Sequence, residues 1–156
     1  MTGAGRGMGA AIATRLVEEG ARVAVTDVDR KTAEATAAAL GEDHAVGIKV
    51  DITDTGSVNA GVLIALQTLG PIDVLVNNAG WERIAPFLDT DEDLWDRLID
   101  INLKGPLRCT HAVLPHMVER QAGRVINISS DAARVGSTGE SVYSAAKAGI
   151  IGFTKT

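Results

Sequence analysis

Thr2-Gly-Ala-Gly-Arg-Gly-Met-Gly9 is the stretch that decides the fold of this 156-residue chain. Glycines at these spacings let a backbone turn tightly and approach a phosphate group closely. A helical pattern, Ala10 to Glu19, follows directly and repeats its apolar residues Ile12, Leu16 and Val17 at helical spacing. The start of such a helix offers unpaired N–H groups and a positive dipole end to a pyrophosphate. The turn therefore predicts nucleotide binding, although glycine-rich turns also occur for purely structural reasons.

The register of this turn is ambiguous from its spacing alone. Gly5, Gly7 and Ala10 also fit the looser dinucleotide pattern in which the last position is Gly or Ala. No Lys-Ser or Lys-Thr pair comes directly after the glycines of the turn, which excludes the phosphate loop of nucleoside triphosphatases.

Downstream of the turn, strand patterns alternate with helical patterns. The predicted strands are Arg22–Asp27, Ala45–Val50, Ile72–Asn77 and Arg124–Ser129. The predicted helices are Lys31–Leu40, Thr55–Leu69, a long region from about Glu92 to Arg120 broken around Gly105-Pro106, and a last helix from about Ser141. This order predicts an α/β fold with a doubly wound, Rossmann-like parallel sheet. A buried strand should lead into the glycine turn, yet only Met1 precedes Thr2, so we expect the central first strand to be missing.

Composition and charge exclude several classes of protein. The chain is 46% hydrophobic and 22% charged, which is typical of one globular domain. Its net charge of -5 disfavours partners such as nucleic acid or an anionic membrane surface. No apolar run is long enough to cross a bilayer, and no signal peptide follows Met1, so we expect a cytoplasmic protein. Cys109, the only cysteine, is expected to be a buried and unreactive thiol.

Asp27 and Arg6 make opposite predictions about the nucleotide. Asp27 ends the strand after the glycine turn, where a carboxylate can accept both hydroxyls of an adenosine ribose and repel a 2′-phosphate. Arg6, inside the turn, could instead pair with that phosphate. We give Asp27 the greater weight because it acts at the ribose itself, so the sequence favours NAD over NADP.

Tyr143 and Lys147 form a second candidate site, in Tyr-Ser-Ala-Ala-Lys, with Ser130 thirteen positions upstream. Residues four apart on a helix share one face, so the ammonium can lie near the phenol. A phenol has an ordinary pKa of about 10, and a neighbouring cation is expected to lower the pKa of Tyr143 towards the range useful for acid–base catalysis. Ser130 ends a predicted strand and can donate a hydrogen bond to a substrate oxygen.

Six motifs in order across the chain resemble those of the short-chain dehydrogenase/reductase superfamily. They are Thr2-Gly-x-x-x-Gly-x-Gly9, Asp51, Asn77-Asn-Ala-Gly80, Asn102, Ser130 and Tyr143-x-x-x-Lys147. The resemblance implies an NAD(P)-dependent oxidoreductase that interconverts a secondary alcohol and a ketone. It also implies a homodimer or homotetramer assembled through the helices around Glu92–Arg120 and from Ser141 onward.

The resemblance assigns roles to individual residues. It implies a catalytic group of Asn102, Ser130, Tyr143 and Lys147, with Asn102 holding a water that resupplies Lys147 with protons. The residues expected to bind the cofactor are Gly3, Arg6, Gly7, Met8, Gly9, Asp27, Asp51, Ile52, Asn78, Ala79, Gly80, Tyr143 and Lys147. Because the family continues with two further strands and a substrate-covering segment, we expect residues 1–156 to be a single dinucleotide-binding and catalytic domain that is incomplete at both ends. On that expectation, this polypeptide alone would be inactive.

The substrate is predicted less sharply. Asn77-Asn-Ala-Gly-Trp81 and Ser130–Glu140 resemble segments of family members that act on 3-hydroxyacyl-CoA thioesters such as 2-hydroxycyclohexanecarbonyl-CoA. A 3-oxoacyl carrier-protein reductase performs the same interconversion and stays an alternative, as does a nucleotide-binding module without turnover. Trp81 follows the Asn-Asn-Ala-Gly turn and is a candidate substrate contact. Arg134 or Arg83 is a candidate partner of a CoA phosphate, against the alternative that both are ordinary surface arginines.

The histidines do not predict a metal site. His111 and His116 are five residues apart and do not share the helix face that paired metal ligands need. We therefore expect no metal cofactor.

Overall fold

The computed structural model describes all 156 residues and shows helices alternating with parallel strands. The strands are β1 (Val23–Asp27), β2 (Ala45–Lys49), β3 (Val74–Asn77) and β4 (Arg124–Asn127). The helices are α1 (Gly7–Glu18), α2 (Arg30–Leu40), α3 (Thr55–Leu69), α4 (Glu92–Ile99), α5 (Gly105–Arg120), α6 (Ala132–Val135) and α7 (Ser141–Thr154), with a 3-10 turn at Phe87–Asp89. The predicted α/β alternation is confirmed.

The strands form two parallel pairs that Met1 and Thr2 connect. β1 pairs with β2, Val23 opposite Ala45, and β3 pairs with β4, Val74 opposite Arg124. Between the pairs, Thr26 N–H donates to the Met1 carbonyl (3.1 Å) and Thr2 N–H donates to the Val76 carbonyl (3.0 Å). The order is therefore β2, β1, Met1–Thr2, β3, β4. At the position expected for a central strand, only these two residues join the neighbouring strands.

Helices cover both faces of this sheet. Val23 and Val25 of β1 pack in one apolar cluster with α1 and α2, whereas Ala24 packs against a second cluster built on α3 and α5. Since successive strand residues point to opposite faces, the two clusters lie on opposite sides of the sheet. This is the doubly wound arrangement that the sequence predicted.

Several boundaries differ from the predicted ones. α1 begins at Gly7, three residues before the predicted start, because its first turn is glycine-rich and carries no apolar pattern. β3 begins at Val74 rather than Ile72, and β4 ends at Asn127 rather than Ser129. The strands are shorter because each ends where its partner's ladder of hydrogen bonds ends.

The region from Glu92 to Arg120 stays helical without the predicted break at Gly105-Pro106. A π-helical segment, Asp100–Lys104, joins α4 to α5, and Lys104 and Gly105 both keep right-handed helical backbone angles. Pro106 is the second residue of α5 and comes directly after the π-helical segment. None of the helices combines the length and apolarity needed to span a bilayer.

Candidate active site

A cleft of about 1130 Å³ opens at the carboxyl ends of the four strands. This edge is where ligands bind in open parallel sheets. Thirteen of the residues singled out from the sequence line it: Gly3, Arg6, Met8, Gly9, Asp27, Asp51, Ile52, Asn78, Ala79, Gly80, Trp81, Tyr143 and Lys147. Gly7, Asn102, Ser130 and Arg134 do not lie on its wall.

The glycine turn is packed so closely that side chains would not fit. Gly3 has a φ of +59°, and a Cβ atom there would lie 2.7 Å from the Ala79 Cα atom. A Cβ atom on Gly9 would overlap the Gly3 carbonyl oxygen. The Asn78 side chain donates to the carbonyls of Thr2 and Gly3, both at 3.0 Å, and so fixes the turn at the start of α1. The turn presents a bare backbone to the cleft, which is what close approach of a pyrophosphate requires.

Asp27 is buried and held in one orientation. Its Oδ2 accepts the Gly5 N–H and its Oδ1 accepts the Asp29 N–H, both at 3.1 Å. These two bonds tie the end of β1 to the glycine turn. Each carboxylate oxygen has a second lone pair, so the group can still accept ribose hydroxyls from the cleft.

Asp51 is fixed at the end of β2 in a similar way. Its Oδ1 accepts bonds from Thr53 N–H (2.9 Å) and Thr53 Oγ1 (2.7 Å), and these bonds hold the pKa of the carboxyl below its usual range. The residue therefore stays charged at the rim of the cleft.

Tyr143 and Lys147 lie together on α7, as their spacing predicted. The Lys147 Nζ atom is 5.7 Å from the centroid of the Tyr143 ring and donates to the Ile128 carbonyl at 2.9 Å. Lys147 is only 4% exposed, and this burial lowers its pKa. An amine that releases its proton more readily is suited to relaying protons.

The predicted lowering of the Tyr143 pKa is not observed. Burial raises the pKa of the phenol, and the carboxylates of Glu82 and Glu140 raise it further, while the Ser130 hydroxyl acts in the opposite direction. The sequence prediction considered only the cation on the same helix face. It missed the carboxylates because Glu82 comes from a distant loop, and burial cannot be read from one helix.

Asn102 is completely buried behind the cleft wall. It lies in the π-helical segment, where its Nδ2 donates to the Trp81 carbonyl (2.6 Å) and the Leu98 carbonyl (3.0 Å). Its Oδ1 accepts the Trp81 N–H at 3.3 Å, and a Cβ on Gly80 would lie 3.0 Å from that oxygen and 3.5 Å from Lys147 Nζ. The three groups are therefore close neighbours.

Ser130 was predicted to end a strand, but it lies three residues beyond β4, in the loop before α6. Its Oγ accepts the Ala132 N–H at 3.2 Å. The loop places the hydroxyl beside the Tyr143 phenol, close enough to affect its pKa.

Trp81 lines the cleft with a partner that the sequence analysis missed. The Arg97 guanidinium carbon lies 4.0 Å from the centroid of the Trp81 ring. Arg97 and Asp96 line the cleft from α4, and Asp100 and Lys104 line it from the π-helical segment. Helical spacing of these charged residues along Glu92–Arg120 was the signal that could have found them. Arg134 and Arg83 are exposed and lie off the cleft wall, so the structure does not bring these two candidates to the site.

The architecture fits a dinucleotide. The bare glycine turn at the start of α1, the oriented carboxylate of Asp27 and the size of the cleft together match its pyrophosphate, ribose and length. No three His, Cys, Asp or Glu side chains are grouped in a way that could hold a metal ion.

Comparisons with known proteins agree with this architecture. A family model described as short chain dehydrogenase matches residues 1–156. The chain is 45% identical to the short-chain reductase protein NovJ of Streptomyces niveus, matching 100% of this chain and 60% of that protein. It is 41% identical to the (2S)-[(R)-hydroxy(phenyl)methyl]succinyl-CoA dehydrogenase subunit BbsD of Thauera aromatica, matching 99% and 63% respectively. It is also 42% identical to the 3-oxoacyl-[acyl-carrier-protein] reductase FabG of Vibrio harveyi, matching 100% and 64%.

Among solved structures, sorbitol-6-phosphate 2-dehydrogenase SrlD from Erwinia amylovora superposes with a TM-score of 0.93 at 34% identity, over 98% of this chain and 62% of that one. The chain thus spans 60% to 64% of the length of the three curated relatives above.

Proposed function

Because the chain belongs to the short chain dehydrogenase family, we propose that the protein containing it interconverts a secondary alcohol and a ketone with a nicotinamide cofactor. The observation that carries this proposal is that Tyr143 and Lys147 face the same cleft as the glycine turn and Asp27. The acid–base pair and the nucleotide-binding elements therefore share one space.

The proposed mechanism assigns one task to each side chain. Bound nicotinamide would supply or accept the hydride. Tyr143 donates a proton to the substrate oxygen in reduction and removes it in oxidation. Ser130 donates a hydrogen bond to the same oxygen as negative charge develops there. Lys147 returns a proton to Tyr143 after each reduction. Asn102 bonds to the backbone N–H and carbonyl of Trp81 and so holds this part of the cleft wall in place.

We propose NAD as the cofactor in preference to NADP. The buried carboxylate of Asp27 supports this choice, since a 2′-phosphate beside it would meet an unscreened negative charge. Arg6 is exposed on the cleft rim and is the feature that opposes it. Dissociation constants for NADH and NADPH test the choice, and tighter binding of NADPH would overturn it.

For the substrate, we propose a 3-hydroxyacyl or 3-oxoacyl thioester. Support comes from the similarity to BbsD, whose name specifies an acyl-CoA, and to FabG, whose name specifies a 3-oxoacyl carrier protein. A cyclic thioester such as 2-hydroxycyclohexanecarbonyl-CoA is our preferred substrate, and a 3-oxoacyl carrier protein is the second candidate.

The test is turnover by the whole natural protein of 2-hydroxycyclohexanecarbonyl-CoA with NAD⁺ and of a 3-oxoacyl carrier protein with NADH. We expect reduction of NAD⁺ by the first or oxidation of NADH by the second, and loss of this turnover in Tyr143→Phe. Retained NADH binding by Tyr143→Phe would show that the loss is chemical. Tight NADH binding by the unaltered protein without turnover of any ketone or alcohol would instead indicate a silent nucleotide-binding module.

We also propose that the protein is a homodimer or homotetramer that uses the surface of α5. Leu114 and Val118 lie four residues apart on this helix and are 43% and 64% exposed, so they present one apolar surface to a partner subunit. Light scattering after size exclusion tests this assembly.

The cytoplasmic location stays a prediction, which cell fractionation would test.

A further inference from the structure

Arg97 is an arginine of the cleft that forms no ion pair with a carboxylate. The ion pairs of the chain involve Arg15, Arg30, Arg108 and Arg120. Arg97 instead lies over the Trp81 ring, with its guanidinium carbon 4.0 Å from the ring centroid. Stacking covers one face of the guanidinium and leaves its N–H donors, which point outward in the plane, free to bind an anion.

The backbone of Trp81, on whose ring Arg97 stacks, is held in place. The backbone N–H and carbonyl of Trp81 both bond to the side chain of Asn102, which is itself completely buried. An arginine that already stacks on a ring loses less side-chain entropy on binding than a free surface arginine. The arrangement is therefore organised for recognition before any ligand arrives.

The pair lies towards the reacting end of the cleft. Glu82, the residue after Trp81, lines the cleft and is close enough to Tyr143 to raise the pKa of its phenol. The pyrophosphate side has its own donors, in the glycine turn at the start of α1 and in Arg6. Arg97 is thus better placed to meet the substrate than the phosphates of the cofactor.

The charges around Tyr143 make a cation necessary for an anionic substrate. Glu82 and Glu140 both act on the phenol, and Asp96 also lines the cleft. A substrate carrying a carboxylate or phosphate would be repelled by these groups unless a cation met its negative charge. Arg97 stacks on Trp81, the residue before Glu82, and forms no ion pair within the chain.

Resting on the proposed alcohol/ketone activity, we infer that Arg97, held on Trp81, selects substrates that carry an anionic group, a carboxylate or a phosphate, by pairing with that group. The anion has two possible sources. It is a carboxylate on the acyl chain near the reacting carbon, or a phosphate of the thioester carrier.

Three substrates with one common 3-oxoacyl chain separate these sources. They are the uncharged N-acetylcysteamine thioester, the same thioester with a terminal carboxylate on the acyl chain, and the CoA ester. In Arg97→Gln of the whole natural protein, we expect kcat/KM for at least one charged substrate to fall about tenfold or more. We expect kcat/KM for the uncharged thioester and the KM for NADH to stay within about twofold. A selective loss with the carboxylated chain identifies the acyl carboxylate, and one with the CoA ester identifies the carrier phosphate.

Two further variants complete the test. Arg97→Lys keeps the charge but not the planar stack, so we expect it to restore part of the lost rate. Arg124→Gln removes an exposed arginine on β4, away from the cleft, and should leave all three substrates unchanged.

Three results would overturn the inference: an equal loss with all three substrates, a rise confined to the KM for NADH, or no change. If the unaltered protein turns over none of the three substrates, the proposed substrate class is refuted together with the role of Arg97. If it turns over the uncharged thioester but Arg97→Gln shows no selective loss, only the role of Arg97 is refuted.

Discussion

The phenol of Tyr143 is partly buried and lies near two carboxylates, and burial is the main cause that raises its pKa. Burial raises the Tyr143 pKa above its ordinary value more than any other cause. The Ser130 hydroxyl lowers this pKa, and the carboxylates of Glu82 and Glu140 raise it by smaller amounts. Alcohol oxidation needs the ionised phenol as a base, so its rate should rise with pH towards that raised pKa.

Removing either carboxylate should move this response. In Glu82→Gln or Glu140→Gln, the phenolate is repelled less, the pKa of Tyr143 falls, and the alkaline rise in kcat/KM for oxidation shifts to lower pH. A pH profile of each variant measures the shift. Glu18→Gln, on the exposed side of α1, is the control and should leave the profile in place. A shift to higher pH in either variant would contradict this account.

Cys109 should be inert in the folded protein. It is 3% exposed on α5, and burial raises the pKa of the thiol to about 11, so almost no thiolate exists at neutral pH. We expect an aromatic disulfide reagent to leave it unmodified under native conditions and to modify one thiol per chain in denaturant. Rapid modification of the native protein would show that α5 opens locally.

At the scale of single elements, the glycine turn and α1 offer a matched pair of positions. Gly3 and Gly7 have nearly the same left-handed φ, +59° and +58°. A Cβ atom at Gly3 would meet the Ala79 Cα atom at 2.7 Å, whereas one at Gly7 would meet nothing within 4 Å. The conformational cost of alanine is therefore similar at the two positions, about 1 kcal/mol, and only the collision differs.

Gly3→Ala should accordingly lose more stability and more NADH affinity than Gly7→Ala. The added methyl group must push the turn away from Ala79, which lies on the wall of the same cleft. Denaturant unfolding and NADH titration of both variants measure the difference. Equal losses would mean that backbone strain alone limits the turn and that its contact with Ala79 is unimportant.

The elements also show which parts of the fold the sequence could predict. α3 was predicted with its observed limits, Thr55–Leu69, because Asp54 caps its start and Gly70 follows its end. The ends of β3 and β4 were missed because they depend on each other's ladder, which no local pattern contains. The π-helical segment was also missed; its Asn102 bonds to the backbone of Trp81, far away in sequence, and no local pattern contains that contact.

The site likewise has features that the sequence predicts and features that depend on contacts in the folded chain. Tyr143, Lys147, Asp27 and the glycine turn could be identified from spacing and from their resemblance to a family, and the structure places them on one cleft. The raised pKa of Tyr143 and the stacking of Arg97 on Trp81 could not, because both arise between loops that only the folded chain brings together.

At the scale of the whole molecule, Thr2 joins the two halves of the sheet. Its Oγ1 accepts the N–H groups of Asn78 and Ala79, both at 3.1 Å, and its own N–H donates to the Val76 carbonyl. On the other side, Ala4 N–H donates to the Thr26 carbonyl at 2.9 Å. The turn that faces the cofactor cleft is thus also the connection between the β1–β2 pair and the β3–β4 pair.

Replacing this hydroxyl should weaken the connection and the cleft together. Thr2→Val keeps the shape of the side chain but leaves two amide donors without their acceptor, which should lower the free energy of unfolding by about 2 kcal/mol. Thr2→Ser retains the hydroxyl and should lose much less.

Both tryptophans lie in the second half of the chain, so their fluorescence reports unfolding there, and circular dichroism reports the whole chain. Because Thr2 couples the halves, we expect the two signals to coincide in the unaltered protein and to separate in Thr2→Val. Coincident transitions at unchanged stability in Thr2→Val would mean that the halves are held together by the apolar clusters alone.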